Sequence, residues 1–544
     1  MIAKKALLAL GLCAIAAGAC SDGFGKPRGF RRLTIELKDA DKVTGSRLAP
    51  RPLLIDQPER FKIIVRSVLA DGTPDTAFTG YVRISAKPGA IERLDGPGTD
   101  GRNVLLTNGE SPEVEVPLTN AYGTTYILAD DLGYNPVSAL DQPPPGCANG
   151  VDDDLDGRID FPADEGCAFA NDDSELGSSY AQGASAPIFY ALPRIADIRG
   201  LRCGAVCSGS GATPYPKEQI QIDTGLHDQP DGSQRFDFDV VVTRISSDGF
   251  YTNDVKDARG GFNGIFAFNF NAPPRMRVCD RMKTFGGTAN EFFGFTQVSY
   301  PTWTLEEWDP ARRRCLVPDA RVLVPAEAGD VNVLLPLSGS LVRAVSTADK
   351  TLSLKVTPKF GPGNTKKQGD VYVPSDDATN CDFNDDGRVD FAAGSEEAKC
   401  ADACTKDPEC TEFSNFKARS TFRLTLTDAN KISGAVQADA TASAGFDPLA
   451  MKGKELRSFT GTLHFFSGGS QYTIEARCRD DIVVDLNQTP LGADKVCANN
   501  NECPNGFECT TLQSGEKACR TPDTKAPPPL ACVFPRTILE NNPQ

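Results

Sequence analysis

The chain has 544 residues, a formal net charge of −16, 50 glycines, 39 prolines, 18 cysteines and two histidines. That length exceeds a single hydrophobic core and predicts three or four domains. The acidic balance argues against a polyanion as the main partner, and two histidines leave little for a typical metallohydrolase.

The chain opens with MIAKK and a short apolar run over residues 6–19, too brief for a stable membrane-spanning helix, and this reads as an export signal. Ala17-Gly18-Ala19-Cys20 resembles the bacterial lipobox, although Ala stands where the motif usually has Leu. The resemblance implies cleavage after residue 19 and lipidation of Cys20 by diacylglycerol and palmitate. Ser21 in place of Asp favours the outer membrane under the sorting rule of such lipoproteins. The alternative is an ordinary small-residue cleavage site with Cys20 left over. Loss of Lys4 and Lys5 with the signal takes the mature chain to −18. Residues 20–32, polar and basic, read as a tether off the lipid, the only membrane attachment expected.

Residues 33–137 predict a β-sandwich. FKIIVRSVL over 61–69 runs into Asp71-Gly72, and in FTGYVRIS over 78–85 Val82 and Ile84 face away from Arg83 and Ser85. Val114, Val116 and Leu118 follow, then TTYILAD, with turns every ten residues or so. The pattern resembles a bacterial immunoglobulin-like (Ig-like) domain, which implies a spacer or adhesive module. DQPPPG then opens an acidic, cysteine-bracketed insert over 138–178.

Residues 179–330 predict a small barrel, from DFDVVVTRI, Asp248-Gly249-Phe250-Tyr251, GIFAF at 264–268 and MRVCDRMKTFGGTANEFFGFTQV at 276–298. These runs resemble the OB-fold modules that accompany secreted bacterial nucleases. Cys279 stands where that pattern has Gly, and Lys283 and Phe285 depart from its valines. A second OB-like copy is expected over 331–488, from PLSGSLVRAV to SFTGTLHFFSGGSQYTIEARCRDDIVV, carrying an insert at 361–416. Residues 489–544 form a Cys-rich end with almost no apolar core, dependent on disulfides for cohesion. The expected fold class is therefore mainly β: a sandwich, two barrels, disulfide-bonded acidic inserts and a small Cys-rich region.

Cysteine parity agrees with an oxidising compartment. Cys13 leaves with the signal and Cys20 takes the lipid, so 16 remain. Proximity in sequence suggests Cys147 with Cys167, Cys203 with Cys207, Cys279 with Cys315, and Cys381, Cys400, Cys404 and Cys410 among themselves. Cys478, Cys497, Cys503, Cys509, Cys519 and Cys532 form a last set whose connectivity stays open.

Two acidic loops carry the sharpest signal for chemistry. Asp152, Asp154 and Asp156 alternate before Gly157, Arg158 and Asp160; Asp382, Asn384 and Asp386 alternate before Gly387, Arg388 and Asp390. Oxygen ligands at positions 1, 3, 5 and 9, Gly at 6 and a backbone carbonyl at 7 suit Ca²⁺. Position 12, Glu in an EF-hand, is Ala163 in one loop and Ala393 in the other, so Asp164 or Glu165, and Glu396 or Glu397, would have to reach round. The first loop resembles the repeats of bacterial surface lipoproteins that are related to thrombospondin type 3 repeats; the second resembles a dockerin or EF-hand loop. A solvated loop without an ion is the plain alternative.

Enzymatic readings are weaker. His227, expected in a loop, and His464, expected in a strand, lack partner motifs, and CSGSGATP and DARGGFNG read as turns rather than a nucleophile elbow or phosphate loop. The expectation is a non-enzymatic outer-membrane lipoprotein that binds or spaces a surface protein or glycan. The second reading is an OB-fold accessory that binds nucleic acid through Phe250, Tyr251, Phe266, Phe268, Phe292, Phe293 and Phe295.

Overall fold

The computed structural model describes residues 31–132, 146–200, 213–357, 364–368, 371–375, 392–405, 421–522 and Cys532, apart from short gaps that include Asp154 and Asp156. The signal, Cys20, Cys203, Cys207, Cys381, Cys410, the side chain of Cys404, and the whole second acidic loop from Asp382 through Asn384, Asp386 and Arg388 to Asp390 lie outside the described residues. The chain is mainly β and divides into two compact units that meet between Ala191 and Leu192.

In the first unit, period-two sequence makes a sandwich. Its strands are β1 (Arg32–Leu37), β2 (Glu59–Val68), β3 (Gly80–Lys87), β4 (Ala90–Ile91), β5 (Thr99–Asp100), β6 (Asn103–Leu106), β7 (Val114–Thr119), β8 (Thr124–Asp131), β9 (Gly183–Ala184) and β10 (Ile188–Phe189). One sheet runs β1-β2-β7-β4 and the other β10-β8-β3-β6-β5, with β9 also on β8. Phe61, Ile63 and Val65 of the first sheet share one core with Val82, Ile84, Ile127 and Ala129 of the second. Each of these side chains larger than alanine contributes about 1.5–3 kcal/mol by leaving water. Asp71 accepts the backbone N–H and hydroxyl of Thr73, and Gly72 takes φ 86°, so Asp-Gly makes the turn its residues favour.

The sandwich runs further than the sequence suggests. Residues 180–191, assigned above to the first barrel, complete it. Ile188 enters its core, Tyr180 donates to the buried Asp75 at 2.7 Å, and the Tyr180 and Phe78 rings lie 4.7 Å apart. The acidic insert is therefore a loop within the sandwich rather than a link beyond it.

The second unit begins with a buried turn of helix, Ile195–Ile198, and holds both barrels. β11 (Gln219–Ile222) and the ribbon β12 (Leu226–Asp228) with β13 (Gln234–Phe236) precede β14 (Val240–Ser246), β15 (Gly249–Asp254), β16 (Gly264–Phe268), β17 (Arg281–Phe292) and β18 (Phe295–Glu306). The ring runs β14-β15-β16-β18-β17, with β16 and β18 parallel, and closes where Val241 meets Arg281. This is a five-stranded Greek-key barrel of the OB-like kind. Gly286 lets β17 serve two neighbours: a Cβ there would lie 2.6 Å from the Ile220 carbonyl oxygen of β11.

The second barrel repeats the order. Past β19 (Arg321–Val322) and the helix Val331–Leu337, β20 (Leu341–Val345) and β21 (Leu352–Val356) are successive parts of its opening strand. β22 (Asn364–Gln368), β23 (Val371–Ser375) and the helix Glu396–Thr405 occupy the insert. β24 (Thr421–Asp428), β25 (Ser433–Asp439), β26 (Ser458–Phe466) and β27 (Gln471–Glu475) follow in the sheet order β19-β20-β26-β27-β25-β24-β21, with β25 and β27 parallel and β28 (Ile482–Val483) on β26. The chain ends in the ribbon β29 (Glu508–Thr511) with β30 (Lys517–Arg520).

Candidate metal centre

The described part of the first acidic loop is held by its own carboxylates. The Cys147–Cys167 disulfide closes it at the base, with both cysteines buried. Asp160, at φ 56°, accepts the backbone N–H groups of Asn149 at 3.0 Å and Gly150 at 2.8 Å, so its two oxygens fasten one end of the loop to the other. Asp152 accepts the Gly157 N–H at 3.0 Å. Its other oxygen is buried and accepts no hydrogen bond among the described residues. Arg158 is exposed.

Two carboxylates beyond the repeat join this centre. Glu175 is fully buried and accepts the N–H groups of Asp153 at 2.6 Å and Asp160 at 2.7 Å. Asp164 is also buried, and its carboxylate, that of Glu175 and the Cys167 sulfur all lie within 4.8 Å of one another. The sulfur is oxidised in the disulfide, so it is no thiolate ligand, and the oxygens are the donors available to a hard cation. Two acidic groups this close and this far from water repel unless a cation or donors compensate them. Asp164 is one of the residues expected to reach round for the missing position 12. Glu175 was not singled out from the sequence; the available signal was the second acidic run, NDDSE, after Cys167.

Elsewhere, Cys497, Cys503 and Cys519 also converge, but Cys497 pairs with Cys509 and Cys503 with Cys519, which leaves no thiolate there for zinc. Cys279 pairs with Cys315 and Cys478 with Cys532, and Cys400 is disulfide-bonded too.

The histidines are engaged. His227 lies in the short strand β12, not in a loop, because the 226–236 segment folds into a ribbon. Its Nδ1 meets Asp237 at 2.8 Å and its Nε2 meets Asp223 at 2.9 Å. Burial alone would lower the imidazole, but the hydrogen bond to Asp237 and the charge of Asp223 outweigh it and hold His227 above its ordinary value. The raised folded value means this pairing stabilises below the unfolded pKa of about 6.5 and is lost as pH rises through the folded value. With the ring partly exposed, the contribution is below about 1 kcal/mol. In a chain with two histidines, NMR titration should therefore place His227 above about 6.5, and Asp237→Asn should bring it down; an unshifted wild-type resonance would contradict the clamp.

His464 of β26 meets the Tyr251 hydroxyl of β15 at 2.8 Å, and Arg244 of β14 pairs with Glu475 of β27. The two barrels thus face each other across the aromatics named for nucleic-acid binding. Phe250 fills the first barrel, while Tyr251, Phe266 and Phe295 are buried in one cluster against Phe465 of the second. Phe268 is half-buried, Phe292 is exposed, and Phe293 lies outside the described residues.

No family model matches the chain, and no curated protein matches it.

Proposed function

We propose that the protein is a non-enzymatic envelope lipoprotein, exported and held to the outer membrane through Cys20, that presents its sandwich and barrels as spacer or adhesive modules at the cell surface. The observation that carries this reading is the spread of disulfides. Cys147–Cys167 lies in the sandwich insert, Cys279–Cys315 on the first barrel, Cys478–Cys532 between the end of the second and the C-terminal region, and two more pairs in the terminal ribbon. A chain cross-linked in every part belongs to an oxidising compartment. Calcium stiffens the inserts: Asp152, Asp154, Asp156, the Arg158 carbonyl and Asp160, with Asp164 and Glu175 from beyond the repeat, supply oxygens in the first, and the Asp382 loop does the same in the second. The nucleic-acid reading is less well supported, because three of its aromatics are spent on the seam between the barrels.

The test uses one variant twice. Expressed with its own signal in a Gram-negative host, the wild type should incorporate labelled palmitate and sediment with outer membranes, and Cys20→Ser should be unlabelled and soluble. On that purified variant, calcium at a hundredfold excess over Kd should stabilise the first unit by about 2.7 kcal/mol in calorimetry. Asp156→Asn with Glu175→Gln should remove the gain. Reduced thiols in the cytosol, or a melting temperature indifferent to calcium, would each sink the corresponding half of the reading.

A further inference from the structure

The aromatic ladder of the first barrel does not stop at the seam. It continues from Phe266 to Phe268, at 6.4 Å between ring centroids, then to Phe270 at 4.5 Å and Tyr300 at 5.5 Å. The inner rungs are covered by the second barrel, but Phe270 is 57 % and Tyr300 66 % exposed. Both sit at positive φ, 62° and 52°, a conformation that costs a bulky residue energy and persists only where the surroundings impose it. Two adjoining segments thus both hold strained backbone while their rings present one surface to solvent.

The surroundings say what such a surface accepts. Asn269 donates to the Asn271 carbonyl, Asn290 to the Ser299 hydroxyl, and the Asn269 N–H reaches the Asp248 carbonyl. These neighbours are amides, a hydroxyl and backbone carbonyls, with no Lys or Arg in those contacts, on a chain of net charge −16. A phosphate backbone needs cations alongside its stacked bases, and no Lys or Arg takes part in these contacts among the described residues. The exposed ring surface is roughly 250 Å², far below the ~800 Å² per partner of a stable protein interface. It matches a few sugar rings, whose C–H faces lie on aromatic rings while their hydroxyls meet amides.

We propose that Phe268, Phe270 and Tyr300 form a docking platform for an uncharged glycan chain. The proposal deepens the binding role given above and rests on it, but it uses neither the lipid nor calcium. Its failure would therefore leave the fractionation and calorimetry results standing.

The probes are dextran, laminarin, soluble starch and hydroxyethylcellulose, each cast into native gels through which the soluble Cys20→Ser chain migrates. At least one should retard it, and Phe270→Ala with Tyr300→Ala should weaken that retention by at least about tenfold. Because both rings are exposed, the double variant should keep the wild-type urea midpoint by tryptophan fluorescence. Failure of all four polysaccharides, or retention that survives the double substitution, would overturn the proposal. So would binding of fluorescent dT20, or a sedimenting dimer, that the double substitution abolishes.

Discussion

Arg199→Met is expected to destabilise the second unit by about 3–5 kcal/mol, among the largest effects of any single substitution outside the disulfides. Arg199 closes the buried helical turn Ile195–Ile198 and is itself buried, with no carboxylate among its hydrogen-bond partners. Its guanidinium donates to three backbone carbonyls: Gly264 at 3.1 Å, Leu335 at 3.2 Å, and Ser338. Gly264 belongs to β16 of the first barrel, while Leu335 and Ser338 lie just before the second. The backbones meet so closely that a Cβ on Gly264 would stand 2.5 Å from Gly339. One side chain therefore satisfies the carbonyls that the two barrels expose to each other. Burial pulls its pKa below the usual range, a sign of how much hydration has been given up.

Methionine keeps most of the stem's packing and removes all the donors, leaving buried carbonyls that each cost about 1–3 kcal/mol. Both tryptophans, Trp303 and Trp308, lie in this unit, so their fluorescence in a urea titration reports it alone. Arg312→Ala, which removes only the exposed pair with Asp309, should shift the midpoint by less than about 0.5 kcal/mol. Equal shifts for the two variants would show that Arg199 is ordinary packing.

Arg199 also marks what the sequence hides. Period-two alternation made the sandwich strands around Val82 and Ile84 legible, and GIFAF announced a barrel strand, since each depends on neighbours a few residues away. The end of the sandwich was not legible. Its last strands are two residues each, too short to show a period, and they follow the acidic loop. Glu175 escaped for a related reason: it lies beyond Cys167 in sequence, and it meets Asp164 at the base of the loop that the Cys147–Cys167 bond closes. The sequence likewise offered Tyr251 and Phe266 as binding aromatics without saying that Phe465 would pack against them. A buried arginine bonded only to carbonyls has no local pattern at all, because its partners lie 65 to 139 residues away.

The terminal ribbon should lose its structure when one disulfide is removed, while the barrels keep theirs. β29 and β30 alone are a two-stranded hairpin, marginal in water, and few apolar side chains are buried around them beyond Leu512 and Ala518. What holds them is Cys497–Cys509 and Cys503–Cys519, closing spans of 12 and 16 residues, and the fully buried pair of Arg520 with Asp494. A cross-link over such a span is worth about 3 kcal/mol through the chain entropy it removes from the unfolded state. Without it, the ordering cost of the ribbon exceeds what so small a core returns, and Arg520 loses its seat, where it also donates to the Pro310 carbonyl of the first barrel's edge. Cys503→Ser with Cys519→Ser should therefore open the bond after Arg520 to trypsin, with cleavage at least tenfold faster by mass spectrometry, roughly the consequence of losing more than 1.4 kcal/mol of local stability. The tryptophan midpoint should barely move, because Cys279–Cys315 and the first barrel's strands are untouched. Protection of Arg520 that survives the double substitution would mean that the buried ion pair and the contact with Pro310 hold the ribbon by themselves.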